Sequence, residues 1–291
     1  MISAQDLSQL YKKACEVELQ AFKPGNVSIY ADGHDMTVDD FRVSAKVSAG
    51  PLCNPDYTLG EKIFYAVRAT REAVSCNTNL GIILLCAPLI EAIYNKPSAW
   101  TLRQALNDVL INTTVQDAEW VFKAISLASP GGLGSSDEQD VKERPSVNLT
   151  EAMRLASLKD RIALQYITDY QDIFDFAVLV YYNAIRSRNQ EWATLSVYAA
   201  LLSRFPDSHI ERKYGSQFTE MVASKMSHLS NQLSEVDNPE HLLPLLFNFD
   251  QELKNKGINP GTMADMTVVT VFTVFLEEVI NLTSCNKNLP I

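Results

Sequence analysis

The chain lacks several features that would place it in common classes of protein. No apolar run reaches the roughly 18 residues of a membrane-spanning helix, although 46% of the 291 residues are hydrophobic. The first residues, 1–6, have neither the basic nor the apolar region of a signal peptide, which predicts a cytoplasmic protein without membrane contact. A basic excess is also absent. The formal net charge is -10, so we expect no nucleic-acid partner.

The cysteines do not form a recognisable metal or redox motif. Their number is five and no two of them have CxxC spacing; they are Cys15, Cys53, Cys76, Cys86 and Cys285. Most lie among apolar residues, which predicts reduced and buried thiols in a reducing compartment.

Helical periodicity dominates the sequence. Apolar residues recur at helical spacing, and Ser3-Asp6, Thr37-Asp40 and Thr58-Glu61 are plausible capping pairs. The nearly continuous apolar stretch 81–94 predicts a buried central helix, and convincing period-2 strands are absent. We therefore predict an all-α fold in which residues 1–291 form one large domain. Further helices are expected at about 101–110, 115–128, 149–168, 173–186, 191–204, 209–233, 239–254 and 262–282.

Polar residues gather where these predicted helices break. Short polar side chains, glycines and cations at helix starts are suited to binding anions such as phosphate. The long irregular segment 129–145 belongs to the same group, because loops of that length are often functional. The candidates for phosphate binding are Lys23, Gly25, Asn26, Ser28, Asn77, Asn79, Gly132, Gly134, Arg161, Arg212, Lys213, Asn259 and Thr262. The glycine loop fits neither a Walker A nor a Rossmann motif.

Acidic residues and one histidine lie in the same breaks. Asp207 can cap a helix, Asp265 is expected in the first turn of the last helix, and Arg161 and Gln165 share one helix face. The carboxylates suited to metal binding or proton transfer are Asp35, Asp140, Asp160, Asp207 and Asp265.

The ordered set of these segments resembles the triphosphoribosyl-dephospho-CoA synthase family, in a divergent branch. The resemblance spans about residues 10 to 280 and rests on 23–28, 35–45, 77–81, 130–141, 160–166, 212–215 and 259–265. It implies an all-helical transferase that moves the triphosphoribosyl group of ATP to the 2′-hydroxyl of dephospho-CoA and releases adenine. Typical members have Asn-Thr-His-Lys-Gly where this chain has Asn77-Thr78-Asn79-Leu80-Gly81, so the implied acceptor is dephospho-CoA or a related molecule.

The implied reaction assigns a role to each candidate. Displacing adenine from the ribose passes through an oxocarbenium-like centre, by analogy with glycoside cleavage. Asp35 or Asp140 is expected to act as base or Mg²⁺ ligand, His209 as a donor, and Lys23, Arg161, Arg212 and Lys213 as phosphate contacts. Asp160, Asp207 and Asp265 are further candidate Mg²⁺ ligands.

Other classes of protein fit less well. His34-Asp35 resembles the doublet of an HD phosphohydrolase, but no histidine precedes it, and Asp39-Asp40 lacks the third acid of a DDxxD motif. A helical nucleotide- or CoA-binding protein without turnover would show the same polar breaks. The apolar stretch 268–280 could be core or a homodimer face, and core is favoured.

Overall fold

The computed structural model describes residues 2–33, 36–130 and 139–286, with side chains as far as residue 282. Helices form most of this part of the chain, and its one extended pairing is a single bridge between Ser28 and Ala31. The all-α prediction is confirmed. The helices are α1 Ala4–Gln20, α2 Val38–Leu52, α3 Leu59–Val74, α4 Leu80–Asn95, α5 Leu102–Ile111, α6 Val115–Ala128, α7 Leu149–Ala156, α8 Arg161–Ile167, α9 Val178–Ala184, α10 Gln190–Arg204, α11 Ser208–Tyr214, α12 Thr219–Glu235, α13 Leu243–Asn255 and α14 Gly261–Asn286.

Four of the predicted long helices are broken in the structure. The stretch 149–168 divides into α7 and α8 because Asp160 is an N-cap rather than a mid-helix residue. The stretch 209–233 divides at Gly215, whose positive φ of 60° ends α11. Short irregular helices also open two stretches that were predicted as single α-helices, a π turn at Ile173–Ala177 and a 3₁₀ turn at Pro239–Leu242.

The central helix α4 buries nearly all of its side chains, as predicted. Pro88 lies inside this helix and has no N–H, so the carbonyl of Leu84 loses its helical donor. The hydroxyl of Tyr166, from α8, donates to that carbonyl at 2.6 Å. Tyr170 donates in the same way to Leu85 at 3.0 Å. Two buried tyrosines therefore satisfy the backbone of a helix that has no access to water.

The last helix, α14, is core rather than an interface. Its residues from Val268 to Leu276 are buried within the single chain, and Tyr11 of α1 packs edge-on against Phe272. The hydroxyls of Thr267, Thr270 and Thr273 each donate to the carbonyl four residues earlier, so these three threonines are buried in α14 without unpaired hydroxyls. Within the described residues, no helix combines the length and apolarity that crossing a bilayer requires.

The thiol prediction is confirmed for the cysteines that the structure describes. Cys15, Cys53 and Cys86 are buried and free, and Cys76 is free and partly exposed. Burial raises the pKa of Cys53 to about 12, which keeps its thiol protonated and unreactive at neutral pH.

A hydrogen bond from Gly60 to Asp117 links α3 to α6, and replacing Asp117 measures how much it contributes to stability. Its Oδ2 closes a capping box with Thr114, while its Oδ1 accepts the buried N–H of Gly60 at 2.9 Å. Asp6 closes the same box with Ser3 and makes no bond to another helix. We expect Asp117→Ala to lower the free energy of unfolding by about 1–3 kcal/mol more than Asp6→Ala does, because a buried donor loses its acceptor. Urea unfolding of both variants measures the difference, and equal losses would contradict it.

Candidate active site where helix starts converge

Asp207 joins the starts of α11 and α14. Its Oδ1 accepts the N–H groups of His209 and Ile210 at 2.9 and 3.0 Å, and its Oδ2 accepts that of Met263 at 2.9 Å. The capping role predicted for Asp207 is confirmed. Burial raises its pKa to about 6, although these N–H groups favour the charged form.

Asp160 joins the starts of α8 and α11. Its Oδ1 caps α8 by accepting the N–H groups of Ile162 and Ala163, and its Oδ2 accepts Nη1 of Arg212 at 2.5 Å. The N–H of Arg161 donates to Oγ of Ser208 at 2.7 Å. The two helices therefore begin side by side, with a guanidinium between them.

The guanidinium of Arg212 is only partly satisfied by the protein. Nε is buried and has no hydrogen-bond partner. An unpaired donor on a buried cation is costly, so Nε marks a position where an anion would be stabilised.

Asp265 lies between the starts of α4 and α8. A Cβ built on Gly81 would stand 2.1 Å from Oδ2 of Asp265 and 2.4 Å from Cδ1 of Ile162. No donor among the described residues reaches the Asp265 carboxylate. Burial, reinforced by the charges of Glu18 and Asp207, raises its pKa well above the usual range. Asp265 follows the first residue of α14 by four positions, so the prediction of a first-turn position is wrong.

The 23–28 turn is tied to the segment before α14, but its lysine does not face a cleft. Asn26 Nδ2 donates to Oδ1 of Asn259 at 2.8 Å, and Gly25, with φ of 84°, donates to Oδ1 of Asp250 at 2.9 Å. Lys23 is fully buried. Its ammonium lies 3.2 Å from the carboxylate of Glu18 and donates to the carbonyls of Glu18 and Val27.

The Lys23 ammonium was predicted to bind phosphate. In this structure it instead binds groups inside the protein. Burial outweighs the attraction of Glu18 and lowers the pKa of Lys23. Ser28 is also buried, and its Oγ accepts the N–H of Tyr30 at 3.4 Å. These contacts hold the turn rather than present donors to a ligand.

The polar segment before α4, residues 77–79, is partly buried. Asn79 is buried and its Nδ2 donates to Oγ of Ser48 at 3.3 Å, while Oδ1 of Asn77 accepts the N–H of Leu80 at 3.3 Å. The N-cap residue Asn79 makes no side-chain cap bond, so the first turn of α4 keeps backbone donors that its cap does not satisfy.

His209 lies against the start of α14. Its N–H donates to Oγ1 of Thr262 at 3.1 Å, and a Cβ on Gly261 would lie 3.4 Å from its Nδ1. Burial and the nearby charges of Arg212 and Lys213 lower the pKa of His209 to about 4. The ligand-free protein therefore holds this imidazole neutral at pH 7, with one ring N–H to donate. Lys213 is exposed, with Nζ 3.5 Å from the carbonyl of Gly257.

Three predicted residues, Asp35, Gly132 and Gly134, lie outside the described part of the chain and stay predictions. Asp140 is described. Its Oδ1 accepts the N–H of Lys142 at 2.9 Å, and the carbonyl of the next residue, Val141, accepts from Oγ of Ser126 at 3.0 Å. This places Asp140 beside the end of α6.

The predicted Mg²⁺ ligands are not arranged as a metal cluster where the structure describes them. No group of three His, Cys, Asp or Glu side chains within residues 2–33, 36–130 and 139–286 is placed to hold a metal ion. Both oxygens of Asp160 and of Asp207 already accept N–H groups. Among the described candidates at the helix starts, Asp265 is the one whose oxygens accept no hydrogen bond.

Two acidic residues at the site were missed in the sequence. Glu18 lies four residues after Ala14 on the apolar face of α1 and is 4% exposed, so its helical spacing signalled a buried carboxylate. Asp172 accepts Nε of Arg161 at 2.8 Å and Nε2 of Gln165 at 2.6 Å. The shared face of Arg161 and Gln165 is confirmed, but no local pattern pointed to Asp172.

A protein-family model for ATP:dephospho-CoA triphosphoribosyl transferase matches residues 4–284. The chain belongs to this family. It is accordingly a triphosphoribosyl transferase with ATP and dephospho-CoA as the substrates of its family, and an inactive binding protein finds no support.

The fold is also that of a solved structure, a candidate triphosphoribosyl-dephospho-CoA synthase from Archaeoglobus fulgidus. The two chains are 22% identical, the match covers 80% of this chain and 97% of that one, and the TM-score is 0.60. A likeness at this identity supports the fold alone. No curated protein matches the transferase.

Gly81 is expected to hold the Asp265 carboxylate in place by leaving room for it. A methyl group at Gly81 meets Oδ2 of Asp265, so Gly81→Ala should rotate this side chain away. We expect the kcat of the transferase to fall about a hundredfold, since a displacement of roughly 1 Å can have that effect. Gly261→Ala is the matched control, because its methyl would make ordinary contact with His209. Comparable kcat values for both variants would refute the expectation.

The pH dependence of stability tests the neutral imidazole of His209. Its folded pKa of about 4 lies below the ordinary 6.5, so unfolding takes up a proton between these values. The stabilisation is complete above pH 6.5 and is lost as the pH falls towards 4. Asp207 acts in the opposite direction, because its folded pKa of about 6 lies above the ordinary 3.8.

Replacing His209 with Gln should remove the pH dependence that this imidazole contributes and leave that of the other titrating groups, including the opposing one of Asp207. The stability advantage of the wild type over His209→Gln is expected to shrink steadily from pH 6.5 to 4. Chemical unfolding at five or six pH values measures it, and a difference that does not change with pH would rule out the shifted pKa.

Proposed function

We propose that Asp265 accepts the proton of the acceptor hydroxyl when the transferase moves the triphosphoribosyl group of ATP to the 2′-hydroxyl of dephospho-CoA or a related acceptor. Two observations carry this proposal. The carboxylate of Asp265, one turn into α14, has no hydrogen-bond donor among the described residues, and Nε of Arg212, one turn into α11, is buried and unpaired. Asp207 joins the starts of these two helices. A base and an anion site are the two groups that the reaction needs next to each other.

The raised pKa of Asp265 suits this role. A carboxylate with an ordinary pKa is a weak base at pH 7, and a raised pKa brings it nearer to the range in which proton transfer is efficient. The positive charge of Arg212 opposes the shift. Asp265 would take the proton as the hydroxyl oxygen attacks C1 of the ribose and adenine departs with the bonding electrons.

The triphosphate is proposed to lie along the starts of α4 and α11. Arg212 would give it Nε, and the incompletely capped first turn of α4 would give backbone N–H groups. Lys213, which is exposed, can reach the outer phosphate, and Arg161 is held in place by Asp172 and by the ring of Phe205, 3.8 Å away. His209 would donate its ring N–H to a phosphate or to the leaving adenine.

Mg²⁺ is proposed to accompany the triphosphate and to neutralise part of its charge. Asp35 and Asp140, which the family resemblance implies as base or Mg²⁺ ligand, are the residues proposed to hold it, and no step proposed here passes through the ion. A cytoplasmic location stays part of the proposal and agrees with ATP as substrate. A homodimer is not proposed through the apolar face of α14, because that face is buried within the chain.

Asp265→Asn tests the assignment with little change in shape. We expect kcat to fall at least about a hundredfold while the affinity for ATP is kept, because the amide cannot accept the proton. The assay is the release of free adenine from ATP, Mg²⁺ and dephospho-CoA, and calorimetry reports ATP binding.

Glu277→Gln is the matched control. It changes another α14 carboxyl whose pKa burial raises, several turns from Asp265 and next to the hydroxyl of Tyr182. Adenine release that persists in Asp265→Asn at the control's rate would remove Asp265 from the mechanism. ATP binding by the wild type without acceptor-dependent adenine release would instead favour a binding protein.

A further inference from the structure

A cleft lies between α3 and α6, and the mechanism above does not use it. Its volume is about 870 Å³, and residues 141–145 close one side. This volume lies in the range of pockets that hold nucleotide-sized ligands.

The charge of the cleft is opposite to that of the chain. The lining holds three acidic residues and five cations, which are Arg68, Arg71, Lys123, Lys142 and Arg144. The chain as a whole has a net charge of -10. A local cationic excess on an acidic protein attracts an anionic ligand and raises its local concentration.

The cations are held only loosely by their acidic partners. Arg68 lies 3.7 Å from Glu72, and Lys123 and Arg144 lie 3.4 and 3.8 Å from Glu119, with all three cations at least half exposed. Exposed ion pairs at such distances contribute little to stability. The cations are therefore free to exchange these partners for a phosphate.

The rest of the lining is apolar except for Ser126. Phe64 and Phe122 belong to it, and so do Leu127, Val141 and Pro145. Most of the exposed lining area is consequently suited to an uncharged, flexible arm rather than to a polyphosphate alone.

The cleft and the candidate active site are joined along the chain. Arg71 Nη1 donates to the carbonyl of Ser75, which ends α3 and lies in the segment that leads into α4. Residues 141–145 follow Asp140 directly in the chain. The chain therefore runs from the end of α3, which forms one wall of the cleft, to the start of α4, where Gly81 lies against Asp265.

We propose that this cleft binds the acceptor, a nucleoside diphosphate joined to an uncharged pantetheine-like arm. The diphosphate would lie against Arg68, Arg71 and Lys123, and the arm would cover the apolar floor. This inference rests on the proposed function, and it assigns the two substrates to different surfaces. ATP, which has no apolar arm, uses Arg212 and the helix starts.

The test compares the double variant Arg68→Ala/Lys123→Ala with Lys256→Ala. Lys123 and Lys256 are both helix-surface lysines with a glutamate four residues earlier, at 3.4 and 3.1 Å. We expect the KM for dephospho-CoA to rise about tenfold or more in the double variant, as the loss of charge-assisted hydrogen bonds implies. The KM for ATP and the kcat at saturating acceptor should change less than about twofold, and the control should match the wild type.

Calorimetric titration with dephospho-CoA alone separates this inference from the proposed function. An affinity that falls about tenfold in the double variant supports the cleft even if no adenine is released. An unchanged affinity and KM for dephospho-CoA would overturn the inference while leaving Asp265 untouched. A KM that rises for ATP and not for the acceptor would also overturn it, since the cleft would then hold the donor.

Discussion

The arrangement of the site depends on the buried carboxylate of Asp207. A charged group without water is expensive, and three backbone N–H groups from two helices are what make it tolerable. The same bonds fix the start of α11 relative to the start of α14. Arg212, one turn into α11, and Asp265, one turn into α14, are thereby held at a set separation. The opposed pKa shifts of Asp207 and His209 are consequences of this burial.

A second constraint comes from the absence of a side chain at Gly81. The first turns of α4, α8 and α14 can approach one another only as closely as their side chains allow. Any Cβ at position 81 would overlap Asp265 and Ile162. Glycine usually weakens a helix, so its presence in the first turn of α4 has a local cost. Here that cost is offset by the close approach of a carboxylate to the backbone of α4. The carboxylate accepts no hydrogen bond from the described residues, and burial keeps its pKa high.

The sequence predicted the fold better than the partners and burial of individual residues. Helical spacing and capping pairs located most helices, since both depend on residues three or four positions apart. The break at Asp160 was missed because an aspartate within an amphipathic pattern looks the same as a solvated helix residue. Lys23 was taken as a phosphate contact because sequence shows its charge but not its partner, and Glu18 was hidden on an apolar face. Asp172 is brought to Arg161 by the turn after α8, which no short-range rule describes.

The distribution of cations argues for two separate anion sites rather than one extended site. Arg212 is fixed by Asp160 and Arg161 by Asp172, in ion pairs of 2.5 and 2.8 Å between half-buried side chains. Such pre-organised guanidinium groups suit a phosphate that must be held still while C1 reacts. The cations of the α3–α6 cleft are exposed and loosely paired, which suits an acceptor that must enter and leave in each cycle. Because the protein as a whole is acidic, it can attract anionic substrates only at local groups of cations. The helix starts around Arg212 and the α3–α6 cleft are two such groups, and they would attract ATP and the acceptor to different places.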